Sequence, residues 1–167
     1  GFVVSASGVD KSNLSEQHFL HFDSQQQLVN SMGYQPSAET ALHFKLYQLF
    51  NTACAVLHVH SVSTTVLSML LTDCSLILSG YEMQKTLCGV TSHEQSIMIP
   101  IFDNQQDMQL LAHQLEQRLS EQHFEHAILI RGHGLYVWAE SIEQAYQHLE
   151  GLEFLLHCEL LRMQVGN

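Results

Sequence analysis

Short apolar runs alternate along this chain with longer stretches whose apolar residues recur every three or four positions, and the switches between the two rhythms mark the predicted elements. Phe2-Val3-Val4, Phe19-Leu20-His21-Phe22, residues 55–61, Leu76-Ile77-Leu78 and residues 96–102, 127–130 and 135–138 are short and rich in β-branched, aliphatic or aromatic side chains, which suits strands. Pro100 lacks a ladder donor and places the end of its strand at an edge or an exit. Helical spacing appears in Leu42, Leu46, Leu49 and Phe50 after a start at residues 35–40, where Ser37 is placed to cap. Residues 62–71 read as a buried helix despite several β-branched positions, and residues 81–85 open a shorter one before Gly89. Asp103 or Asn104 is expected to cap a helix running to about residue 120, with Met108, Leu111, Leu115 and Leu119 on one side. Ser141-Ile142-Glu143-Gln144 has capping-box form, and Ala145, Leu149, Leu152, Leu156 and Leu160 continue at helical spacing. Residues 14–17 read as a helical turn and the glutamines 25–27 as loop. Strands interleaved with helices predict a single α/β domain over residues 1–167, its central sheet covered on both faces.

Composition narrows the function classes. A chain of 167 residues with 46% hydrophobic and 14% charged residues can bury a real core. The net charge of −11 leaves no basic surface to neutralise phosphates, which excludes a nucleic-acid partner. No apolar run reaches the roughly 18 residues of a membrane span. Cys54, Cys74, Cys88 and Cys158 contain no Cys-x-x-Cys pair, so a reduced, cytoplasmic setting is the expectation.

Candidate chemistry concentrates in two stretches. In the strand Ala55-Val56-Leu57-His58-Val59-His60-Ser61, residues two apart share a face, so His58 and His60 point the same way. A divalent metal is one reason to hold two imidazoles there; two separately satisfied histidines is the other reading. Downstream, Arg131-Gly132-His133-Gly134 separates two apolar runs, and its glycines present His133 at a strand-to-strand corner where a partner can approach closely. Three histidines from two strand ends would make an open three-nitrogen site of catalytic type. Ser7, Gly8 and Lys11 lie in a small-residue loop that suits an oxyanion or a plain solvated turn. Glu39, in the first turn of its helix, and Glu82, opening another, are each placed where the macrodipole favours a carboxylate.

With these stretches placed, the sequence resembles the class II aldolase (AraD-like) superfamily. The resemblance rests on residues 5–11 (SASGVDK), residues 36–40 (PSAET), His58-Val59-His60-Ser61, residues 80–85 (GYEMQK), residues 100–104 (PIFDN) and Arg131-Gly132-His133-Gly134. It implies a three-layer αβα fold with a largely antiparallel central sheet, and one Zn2+ per subunit held by His58, His60 and His133. Three imidazoles would also suit iron, cobalt, nickel or manganese.

Within the superfamily, the segment around Glu82 is similar to that of the dehydratases of methionine salvage, which remove water from a ketose 1-phosphate. The resemblance then makes Glu82 the catalytic carboxyl, with Ser7, Gly8, Lys11 and Ser37 contacting the phosphate and Glu39 a neighbour in the metal pocket. A class II aldolase or epimerase is the alternative, since the sugar-phosphate aldolases place their catalytic carboxylate at Glu39. A non-catalytic zinc-binding protein is more distant. Relatives imply a homotetramer with active sites near subunit boundaries. Family members also carry a helix and a Gly-Asn-containing phosphate loop ahead of the position of Gly1, neither of which is in these residues. Truncation at a core strand would hinder folding, so the expectation is that the natural chain has them.

Overall fold

The computed structural model describes residues 1–121 and 124–166. Three short strands open the chain: β1 (Phe2–Ser5), β2 (Phe19–Phe22) and β3 (Leu28–Asn30). They form an antiparallel sheet of their own around Val4, Ala6, Leu20 and Phe22. The sequence reading placed no strand at residues 28–30 and expected only one sheet. All three residues of β3 are exposed, so no burial pattern marked it.

The second sheet is built from β4 (Ala55–Val59), β5 (Ser75–Leu78), β6 (Ile97–Phe102), β7 (Ala127–Ile130) and β8 (Gly134–Ala139), in the order β4-β8-β7-β6-β5. Every pairing is antiparallel except β6 with β7, as expected for a largely antiparallel sheet. Pro100 is not at an edge strand. Pairing to β5 runs from Ile97 to Pro100 and pairing to β7 begins at Ile101, so the missing donor falls where the strand changes partner.

Strand alternation divides the core in two. Ile128, Ile130, Tyr136 and Trp138 face α1 (Thr40–Leu49) and α3 (Met108–Glu121), packing on Leu42, Leu46, Leu111 and Leu115. Ala127, Leu129, Leu135 and Val137 face α2 (Val62–Leu70) and α4 (Ile142–Val165), meeting Leu67, Leu152, Leu155 and Leu156. Each fully buried leucine or isoleucine contributes roughly 1.5–3 kcal/mol, so both helical layers are anchored to the sheet. The result is the expected αβα sandwich.

Two helix starts differ from the sequence reading. α1 begins at Thr40 with Glu39 as its cap residue, while Ser37 forms a turn whose hydroxyl accepts the Glu39 N–H at 3.3 Å. α3 begins at Met108, and the carboxylate that caps it is Asp107, which accepts from Gln109 and Leu110 N–H at 3.0 and 3.1 Å. Asp103 instead pairs with Arg131. At α3 a carboxylate nearer the helix took the capping role, whereas Glu39 occupies the cap position of α1 without a side-chain cap bond.

Candidate metal centre

β4 ends where β8 begins, and the antiparallel register puts the end of one strand beside the start of the other. His58 projects from β4, His60 follows it immediately, and His133 sits in the turn just before β8. The start of α1 adds Glu39. Ligand atoms of Glu39, His58, His60 and His133 all lie within 4.8 Å of one another, the only such metal-capable group among the described residues. His58 Nε2 and His60 Nε2 are 2.7 Å apart, and His133 Nε2 is 2.9 Å from Glu39 Oε1. Glu39 Oε1 is also 3.7 Å from both His58 Nε2 and His60 Nε2.

Local interactions orient these groups. His58 Nδ1 lies 2.9 Å from the Leu135 carbonyl, which can only accept, so Nδ1 carries the hydrogen and Nε2 turns a lone pair toward the cluster. Tyr136 stacks on the His58 ring from beneath, at 3.9 Å. Gly134 is obligatory for close approach: a β-carbon there would collide with Val59 O and come within 3.0 Å of His60 Cδ2 and 3.1 Å of His58 Cε1. His133 and then His58 hold the Glu39 carboxyl far below the usual carboxylate range, against the opposing effect of burial. Burial, followed by the neighbouring His58 and His133, lowers His60. Three imidazoles converging on one ionised carboxylate make a donor set that fits a divalent transition ion.

The remaining predicted residues fall into two groups. The loop carrying Ser7, Gly8 and Lys11 is tied to the segment before α1 through Ser7 N–H to Gln35 O at 3.0 Å, and Gly8 adopts φ +72°. Lys11 folds back on this loop, donating to Ser5 Oγ at 2.7 Å and Ala6 O at 2.8 Å, and it feels the charge of Glu39. Ser37 Oγ lies 3.4 Å from Glu39 Oε2. The loop and Ser37 are therefore both joined to the segment that leads into Glu39. Glu82 does not join them: it opens a 3-10 turn over Glu82–Thr86, its side chain is 70% exposed, and its ionic neighbours are Lys85 and His93.

Sequence reasoning from the residues alone took Glu39 only as a first-turn carboxylate, and it passed over Tyr136 and His43. His43 follows Glu39 by one helical turn and meets the Tyr136 ring edge-on at 5.4 Å. That i, i+4 spacing on α1 was the available signal.

Residues 1–160 match the family model described as Class II Aldolase and Adducin N-terminal domain. The chain belongs to this family. A methylthioribulose-1-phosphate dehydratase of Yersinia pseudotuberculosis is 47% identical over 160 residues, covering 96% of this chain and 72% of the relative. One of Serratia proteamaculans is 48% identical, covering 96% and 78%. Among solved structures, an L-fuculose 1-phosphate aldolase superposes with TM-score 0.77 at 20% identity, covering 99% of this chain and 71% of that one. The L-fuculose-1-phosphate aldolase of Thermus thermophilus gives 0.74 at 23% identity, covering 100% and 81%. At those identities the structural likeness speaks for the class II aldolase fold alone.

Proposed function

We propose that this protein is a hydro-lyase that converts 5-methylthioribulose 1-phosphate to 2,3-diketo-5-methylthiopentyl 1-phosphate and water, a step of methionine salvage. The observation that carries this reading is the near-half identity, over almost the whole chain, to relatives bearing that activity in their names.

The reaction removes the proton on C3, next to the C2 carbonyl, and the hydroxyl on C4; the enol left behind tautomerises to the diketone. Glu39, His58, His60 and His133 would hold the metal, with zinc as the proposed ion. When bound, such an ion supplies Lewis acidity to the substrate's carbonyl oxygen. Hydroxide is a poor leaving group, so a positioned carboxyl must protonate it. Glu39 is ill suited, because it is engaged with His133 at 2.9 Å and would be taken up in holding the metal. Glu82 is the proposed shuttle. Lys85 lowers its pKa, so it starts as a base able to take the C3 proton and then hand it to the departing C4 oxygen. Ser7, Gly8, Lys11 and Ser37 are the proposed phosphate contacts; Lys11 is the cation among them, and Gly8 leaves its backbone open to close approach.

Glu82 lies on the surface outside the group formed by Glu39, His58, His60 and His133, which supports a homotetramer in which a neighbouring copy presents this carboxylate. Cytoplasmic placement is part of the proposal; no helix among the described residues is long and apolar enough to cross a membrane.

A sugar-phosphate aldolase is the second reading, favoured by one observation: Glu39, where that group carries its catalytic carboxylate, is hydrogen-bonded to His133 at 2.9 Å. Incubation with 5-methylthioribulose 1-phosphate should yield the diketone product, and a chelator should abolish it. Retro-aldol fragments in place of the diketone would overturn the dehydratase reading.

A further inference from the structure

His133 is presented by a turn with glycine on both sides, one of them, Gly132, at φ +63°, so little in its own side-chain neighbours along the chain fixes its direction. What restrains it is α2. This helix starts directly after His60, where Ser61 Oγ accepts the Thr64 N–H at 3.1 Å, and its far end is gripped by Arg131. Arg131 Nη1 donates to Ser68 O at 2.7 Å and also to Leu71 O, and Nη2 donates to Asp73 O at 3.2 Å. These carbonyls lie at and just beyond the end of α2, where the backbone runs out of intrahelical donors. Arg131 Nε donates to Asp103 Oδ1 at 2.8 Å, which fixes the plane of the guanidinium. Two lighter bonds complete the attachment: Gly132 N–H to Ser68 Oγ at 3.0 Å, and Thr65 Oγ1 to His133 O at 3.3 Å.

One short helix therefore connects both halves of the ligand set. Its N-terminus follows His60 and its C-terminus is locked to the residue two before His133. We propose that Arg131 is a positioning residue for metal binding, which sets the direction of the His133 imidazole by clamping its turn to α2. This rests on the metal reading given above.

Arg118 supplies the control. It too donates to backbone carbonyls, to Ile101 O at 2.8 Å and Cys74 O at 2.5 Å, but it adjoins no histidine of the centre. The experiment measures zinc affinity by chelator competition on folded, metal-free protein, alongside thermal melting, for wild type, Arg131→Met, Arg131→Lys and Arg118→Met. Arg131→Met should weaken zinc by roughly 10–100-fold, the range for lost outer-shell support of a ligand. Arg131→Lys should recover part of that loss, since an ammonium reaches some of the same carbonyls. Arg118→Met should lower the melting temperature and leave zinc affinity at the wild-type value. The inference fails if folded Arg131→Met binds zinc as wild type does, or if Arg118→Met weakens zinc equally. Should Arg131→Met not fold, Thr65→Val removes only the bond to the His133 carbonyl: weaker zinc binding supports the proposal and unchanged binding overturns it. A wild-type chain that binds no zinc overturns the metal reading itself, and this inference with it.

Discussion

His58 and Tyr136 face each other across the β4–β8 pair, and their rings stack at 3.9 Å between centroids with planes 14° apart. The tyrosine is fully buried, and its hydroxyl has no hydrogen-bond partner among the described residues. Its ring is thus the part in use, as a floor that keeps the His58 imidazole facing the cluster. Tyr136→Phe should retain metal affinity, because it keeps the ring that stacks on His58. Tyr136→Leu should weaken the metal by about tenfold or more through loss of that support. Equal metal affinity in the leucine variant would rule out the stacking role.

Gly134 is the second test of close packing. Its missing β-carbon makes room for both His58 and His60. Gly134→Ala should destabilise the fold by roughly 1–3 kcal/mol, as overpacking does, and lower metal content in purified protein. Denaturant melts with metal analysis check both, and full metal content in the alanine variant would contradict the geometry.

The two carboxylates separate dehydratase from aldolase. Glu82→Gln should keep fold and metal while kcat falls by the ~10²–10⁴-fold of a lost general acid–base group. Glu39→Gln should lose metal affinity, because the charge facing three imidazoles is gone, and its turnover should recover in part with excess metal. Turnover near normal in Glu82→Gln would point to the aldolase arrangement.

Acid should weaken the fold at a place outside the cluster of Glu39, His58, His60 and His133. Burial pushes His126 down to about 4 from an ordinary value of 6.5, and also lowers its neighbour His148. Between those two values the unfolded chain binds a proton at His126 that the folded chain refuses, so stability falls as pH drops through this window. From pH 7 to 4.5 the loss assigned to His126 is about 2 kcal/mol. His126→Gln has no such proton to refuse. Urea unfolding of metal-free protein at both pH values should show a smaller loss in the variant; an identical loss would contradict the assignment.

Most of the sandwich was legible in the sequence because it follows from local periodicity. Alternation in residues 127–130 and 135–138 sends successive side chains to opposite helical layers, and the leucine spacing of α4 shows which stripe is buried. Elements without a burial signature escaped, as β3 did. Cap positions also escaped, since Ser37, Asp103, Asn104 and Asp107 are all acceptable caps and the exact start of each helix depends on what the helix packs against.

For the site, the chain by itself determined that His58 and His60 share a face and that glycines flank His133 at a strand-to-strand corner, both consequences of backbone geometry within a few residues. The family resemblance had already put Glu39 beside them; only the tertiary structure decided that Tyr136 lies under His58 and that Arg131 ties the His133 turn to the helix following His60. Those relations need α1, β4, α2 and β8 to converge, and convergence is set by the packing of two helical layers on one sheet, which no local pattern encodes.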